Sequence, residues 1–227
     1  MKILILQNRM GIGDMIMFLP FIEAISKKFK TPVTILAKKN TKVEMYFNNK
    51  EIVEEIMYLE REDNKKHSGV KGFFKLVNEL KLKKFDKVFI FNSSLRYFLI
   101  SKFSGIKEVF HYPLFKKKNQ QIIEAAKEFT LKSIGEDIES TPRLFLKEQD
   151  ILKAKKDHSI DQSITNIILG IGGSGKTKRV PASIFKSFMS KVLKRSNCRF
   201  FLMTGNNIDE LKIMDEIIES EYREYCT

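Results

Sequence analysis

Between Asn166 and Pro181 an aliphatic run meets four glycines, three cations and two hydroxyl residues: Asn-Ile-Ile-Leu-Gly-Ile-Gly-Gly-Ser-Gly-Lys-Thr-Lys-Arg-Val-Pro. Glycines leave backbone N–H groups free, and lysine charge beside a helix start completes what a diphosphate needs. Gly170, Gly175, Lys176 and Thr177 satisfy the P-loop pattern G-x-x-x-x-G-K-[ST] letter for letter, so an ATPase or GTPase is one reading. Pro181 stands against it. A P-loop lysine and hydroxyl act from the first helical turn, whereas proline inside a helix costs about 3 kcal/mol or more. The helix is therefore predicted to begin at Pro181, and the loop becomes long for a tight cradle. The next strand, Arg199 to Thr204, runs into Gly205 and has no terminal aspartate for magnesium. The stretch reads better as the first strand-to-helix turn of a nucleotide-binding domain.

A second candidate loop lies near the start. The aliphatic run Ile3 to Leu6 breaks at Gln7-Asn8-Arg9-Met10-Gly11-Ile12-Gly13-Asp14, and apolar residues then fall at Met15, Phe18, Leu19, Ile22, Ile25 and Phe29. That spacing predicts an amphipathic helix facing a sheet. Asp14 is placed at its N-cap, with Pro20 near the first turns. Arg9, Gly11 and Gly13 share the loop with this carboxylate.

These loops need elements to hold them. Strands are predicted at Ile3–Leu6, Val33–Ala37, Ile56–Leu59, Val88–Phe91 and Glu108–His111, alternating with helices. One helix is striped by Val70, Phe73, Phe74, Val77 and Leu80, one runs from Leu95 to Phe103, and one stops at Gly135. Alternation of this kind predicts a parallel sheet with right-handed crossovers, covered on both faces. The polar stretch after it carries Pro142 and a charged run from Lys147 to His158. The pattern then restarts: strand Ile167–Ile171, a helix with Ile184, Phe185, Phe188, Met189 and Val192, strand Arg199–Thr204, and a helix whose start offers Asn207 and Glu210 as a capping box. The expected organisation is a doubly wound domain over residues 1–140, a linker over 141–165, and an incomplete second domain over 166–227.

Composition bounds the function. The 227 residues carry a net charge of +13, with 43% hydrophobic and 30% charged residues, as in a globular protein that attracts anionic partners. Abundant lysine, isoleucine and asparagine, as from an AT-rich genome, account for part of that charge. Cys198 and Cys226 have no metal-ligand spacing, and a reducing, cytoplasmic setting fits them. No apolar stretch has the roughly 20 residues of a membrane helix, and the N-terminal aliphatics are too few for a signal peptide. The basic runs Lys81–Lys84 and Lys116–Lys118 suggest peripheral contact with an anionic membrane surface, with solvated loops as the alternative. No nucleic-acid recognition motif accompanies the charge. His67, His111 and His158 are unrelated in spacing and are read as structural or surface groups, not catalytic ones.

Taken together, the two loops resemble glycosyltransferase family 9, the ADP-heptose:lipopolysaccharide heptosyltransferases. The matching residues are Lys2-Ile3-Leu4-Ile5-Leu6 with Arg9, Gly13-Asp14 and Pro20, then the passage Gly135 to Leu146, then Lys178-Arg179-Val180-Pro181 and Leu202-Met203-Thr204-Gly205. Val180 stands where the family usually has tryptophan. Only Asn206, Asn207 and Asp209 represent an acidic residue expected after the Thr-Gly, and the family's later donor motif would lie beyond Thr227.

The resemblance implies a GT-B architecture of two Rossmann-like doubly wound domains with parallel sheets, the second truncated, and a cleft between acceptor and donor sides. It implies inverting transfer of a heptose-like sugar from a nucleotide-diphosphate donor to a lipopolysaccharide-core or other glycan acceptor. Asp14 is then the general base and Lys178 the main diphosphate ligand, with Ser174, Gly175, Lys176, Thr177 and Gly205 beside it and Arg9 toward an anionic acceptor. No cofactor is implied, and the absence of a D-x-D sequence leaves no metal-binding diphosphate motif. The alternatives are a P-loop nucleotide-binding protein and a non-catalytic remnant that binds nucleotide or lipid.

Overall fold

The first strand shows why this sequence makes a two-sided sheet. In β1 (Ile3–Leu6) all four side chains are buried. Ile3 and Ile5 enter one core and Leu4 and Leu6 the other, the period-2 alternation of a strand covered on both faces. The computed structural model describes residues 1–9, 11–47, 49–114, 120–144, 146–173 and 175–227, excluding the side chain of Lys176. Ser174 and the run Lys116–Lys118 lie outside the described residues.

From β1 the chain continues through α1 (Ile12–Ile16), α2 (Leu19–Phe29), β2 (Val33–Ala37), β3 (Val53–Tyr58), α3 (Gly69–Lys83), β4 (Lys87–Ile90), α4 (Leu95–Phe103), β5 (Glu108–His111) and α5 (Ile122–Ile134). The five strands form one parallel sheet in the order β3-β2-β1-β4-β5. Phe21, Ile22 and Ile25 of α2 and Phe129 of α5 pack on one face. Leu76 and Leu80 of α3 and Tyr97 and Ile100 of α4 pack on the other. Between β4, β5 and α5 the core is aromatic: Phe89 stacks on Phe110 at 4.7 Å and meets Phe129 edge-on at 6.5 Å.

Two local departures from the sequence reading concern the first loop. The helix begins at Ile12, so Asp14 lies in its first turn and is not the N-cap. Gly11 holds that position at φ 106°, a conformation in which a side chain would be strained. Pro20 does not lie near the first turns of one continuous helix. The helix breaks at Met17-Phe18, and Pro20 occupies the opening turn of α2, where its missing N–H costs nothing.

The chain divides into the unit Met1–Phe145 and the unit Leu146–Thr227. The second contains α6 (Glu148–Asp157), which arises inside the polar stretch read as linker and buries none of its residues. Then come β6 (Thr165–Gly170), α7 (Ala182–Leu193), β7 (Cys198–Met203) and α8 (Ile208–Ile218). β6 and β7 pair in parallel over a core of Leu169, Ile171, Met189, Phe200 and Ile217. Cys226 and Thr227 lie parallel to β7 on its other side, with Thr227 N–H donating to Phe200 O at 2.9 Å and Leu202 N–H to Thr227 O at 3.0 Å. Among the described residues no helix is long and apolar enough to cross a membrane.

Candidate functional site

Parallel pairing brings the C-terminal ends of β6 and β7 together, so the turns that follow them are neighbours. After β6, Ile171 is buried and donates its N–H to Met203 O at 2.9 Å. The chain then passes Gly172 and Gly173, makes a 3₁₀ turn over Lys176–Lys178, and enters α7 behind the N-cap Pro181. Thr177 therefore does not open the α-helix, as a P-loop threonine must, and β7 ends at Met203 without an aspartate. Gly175, Thr177 and Lys178 remain on this turn, and Lys178 N–H donates to Gly175 O at 2.9 Å. Thr177 and Lys178 are exposed.

Glu210, which the sequence reading gave only a capping role, holds the two turns together. Its side chain leaves Asn207 and crosses to the turns. One carboxylate oxygen accepts the Gly173 N–H at 3.0 Å and the other accepts the Gly205 N–H at 3.0 Å. Asn207 alone caps α8, accepting from Asp209 N–H at 2.9 Å. Glu210 is 7% exposed. The two N–H donors hold its carboxyl below the usual carboxylate range, and the Arg179 cation adds to this, its Nε lying 4.0 Å away. Arg179 also pairs with Asp209 at 2.5 Å. Gly205 faces Glu210 so closely that an added Cβ would lie 2.9 Å from its oxygen.

In the first unit the sheet order places the topological switch between β1 and β4, where ligands of doubly wound folds bind beyond the strand ends. The loops after these strands meet there: Asn92 donates to Asn8 Oδ1 at 3.2 Å. Buried Gln7 accepts the Arg9 N–H and so fixes the loop that carries Arg9, Gly11, Gly13 and Asp14. Asp14 is half-buried, near Gly11, and makes no side-chain hydrogen bond or ion pair among the described residues. Arg9 is exposed and edges a cavity of about 800 Å³ whose walls include Phe18, Phe110, Tyr112 and Phe129, with Ser93 and His111 on its rim. The Tyr112 hydroxyl has no partner among the described residues, and burial pushes its pKa up.

Sequence reasoning passed over two further cations of the first unit, which lie near each other. Arg96 donates to His67 O at 3.0 Å and Gly69 O at 2.8 Å, while the Arg61 guanidinium lies 5.8 Å from the Tyr97 ring. Burial and the nearby Arg61 charge both lower the Arg96 pKa. Neither arginine belongs to a recognisable motif, and only the fold unites them. His67 is structural, as expected: its Nδ1 accepts from Glu60 N–H at 3.1 Å, so Nε2 carries the proton toward Glu79 at 3.1 Å. Among the described residues no three His, Cys, Asp or Glu side chains group as metal ligands.

No family model matches the chain, and no curated protein matches its sequence. Solved structures do match its fold. The family 9 glycosyl transferase of Veillonella parvula is similar over 96% of this chain and 67% of its own, at 16% identity and a TM-score of 0.70. The ADP-heptose lipopolysaccharide heptosyltransferase II of Escherichia coli covers 100% and 71%, at 17% identity and a TM-score of 0.65. A second Escherichia coli heptosyltransferase, solved with ADP, covers 100% and 74%, at 15% and 0.64. The chain has the GT-B-type α/β fold of these glycosyltransferases, over about two thirds to three quarters of their length. Within that class the likeness extends to the heptosyltransferases that the two glycine loops resemble in sequence.

Proposed function

We propose that the chain is a glycosyltransferase of the heptosyltransferase type, transferring a sugar with inversion from a nucleoside-diphosphate donor to a glycan or lipid-linked acceptor. The observation that carries this reading is the second unit's paired turns. Exposed Lys178 stands on the turn after β6, and Glu210 ties that turn to Gly205 after β7, on a fold whose solved relatives include one bound to ADP. In the proposed reaction the acceptor oxygen forms a bond to the anomeric carbon while the bond from that carbon to the diphosphate oxygen breaks. The acceptor proton passes to Asp14, whose carboxylate is not engaged by any described side chain. Lys178, Thr177 and the backbone of Gly175 meet the charge that grows on the departing diphosphate. Arg9, exposed at the edge of the first unit's cavity, favours an anionic acceptor.

The donor turn and Asp14 belong to different units, and the whole activity, including a cytoplasmic setting and peripheral membrane contact, is part of the proposal. Its test is an assay of the chain with ADP- and UDP-sugars and lipopolysaccharide-core acceptors. Asp14→Asn is expected to reduce transfer by about 10²- to 10⁴-fold while leaving donor affinity within twofold. Transfer at the wild-type rate by that variant would remove Asp14 from the role of base.

A further inference from the structure

Helices α3 and α4 lie side by side on one face of the first unit's sheet, and their outer surface is both aromatic and cationic. Val70 and Phe74, read from the sequence as inward-facing, are 74% and 57% exposed, and Phe103 of α4 is 63% exposed. Phe73 bridges them edge-on, 5.2 Å from Phe74 and 6.0 Å from Phe103, so the rings form one cluster. Leu82, 82% exposed, extends the apolar surface toward the C-terminal end of α3.

The charges around this cluster are predominantly positive. α3 carries Lys71, Lys75, Lys81 and Lys83, and α4 carries Arg96 and Lys102, against the single carboxylate Glu79. Glu79 is taken by Lys66 and His67, and Lys83 by Glu55. Lys71, Lys75 and Lys81 form no ion pair among the described residues, and Lys81 stands two helical turns after Phe74 on the same line of the helix.

Exposed apolar clusters of this kind mark interaction surfaces. We propose that the α3/α4 face docks onto an anionic phospholipid bilayer. The phenyl, valine and leucine side chains enter the boundary between headgroups and acyl chains, and the three lysines pair with lipid phosphates. Two features select this occupant. The excess of positive charge opposes the approach of the same face on a second copy. Val70 and Leu82 gain from hydrocarbon but have no ring on which a nucleic-acid base could stack. The inference deepens the membrane-contact part of the proposed function and rests on that part alone, not on sugar transfer.

The test is flotation of the full chain with vesicles of phosphatidylglycerol and phosphatidylcholine in equal parts, and with phosphatidylcholine alone. The wild type is expected to float with the anionic vesicles only. Phe74→Ser with Phe103→Ser should weaken binding about tenfold or more, and Lys71→Gln, Lys75→Gln and Lys81→Gln together about a hundredfold. All these positions are exposed, so circular dichroism is expected to report an unchanged fold. Binding of ADP, followed in parallel by calorimetry, is expected to survive in both variants. Vesicle binding without ADP binding would leave this inference standing and sink the nucleotide-sugar reading. Failure of the wild type to float, variants that float like the wild type, equal binding to neutral vesicles, or a lipid-free dimer abolished by the phenylalanine changes would each overturn it.

Discussion

The Glu210 carboxylate accepts the backbone N–H of Gly173 at 3.0 Å, across 37 residues of sequence. Its other oxygen does the same for Gly205, so one side chain fixes the geometry of both turns that follow the strands of the second unit. Replacing Glu210 by Gln removes the charge and turns an amide NH₂ toward one of two N–H donors. The variant is expected to melt at a lower temperature and to exchange the Gly173 and Gly205 amide protons faster, both measurable on the intact chain. Unchanged protection of those two amides would deny the clip.

The same contact has a pH signature. Glu210 titrates below its ordinary value of 4.5 in the folded chain because two N–H donors and a cation favour the ionised form. The unfolded chain then binds the proton more readily, so this stabilisation is fully present above about pH 4.5 and is lost as pH falls through the lower folded value. Acid titration of the wild type should show a stability slope in that window, and Glu210→Gln should flatten it. An identical slope in the variant would assign the effect to other carboxylates.

Gly205→Ala tests how closely the turn approaches the clip. A Cβ there would lie 2.9 Å from Glu210 Oε2, too close to remain, so the carboxylate must swing away from the Gly205 N–H. A severalfold loss of ADP affinity and a lower melting temperature are expected. An alanine variant with wild-type binding would make the clip dispensable for the ligand.

In the first unit, Phe89→Ala should cost about 3–5 kcal/mol, since a fully buried ring in an aromatic cluster leaves a cavity that cannot close. Urea denaturation measures it. A loss below about 1 kcal/mol would contradict the packing described here.

Much of the fold was legible because β1 to β5 alternate with helices whose apolar spacing is regular. The continuous aliphatic run of β1 is what a strand covered on both sides shows, and all four residues are buried. The errors have physical causes. On α3, Val70, Phe73, Phe74, Val77 and Leu80 satisfy helical spacing, but the buried face is Gly72, Leu76, Val77 and Leu80. A glycine adds no hydrophobic signal, so the stripe was drawn too far around the helix. Asp14 looked like an N-cap because aspartate favours that place, yet Gly11 holds the N-cap three residues earlier. Glu210 followed the local capping rule on paper and a contact 37 residues away in the fold, which no local pattern encodes. The lysine-rich turn was easier, because Pro181 alone ruled where α7 could begin.

The central claim is that the glycine-rich turn after β6 is a donor-diphosphate site centred on Lys178 and not a P-loop centred on Lys176. Calorimetric titration of ADP and UDP into the wild type, Lys178→Ala and Lys176→Ala tests it most directly. The account predicts saturable binding to the wild type, weakened about 10- to 100-fold by Lys178→Ala and far less by Lys176→Ala. Loss of binding in Lys176→Ala with Lys178→Ala unaffected, or no nucleotide binding by the wild type, would contradict it.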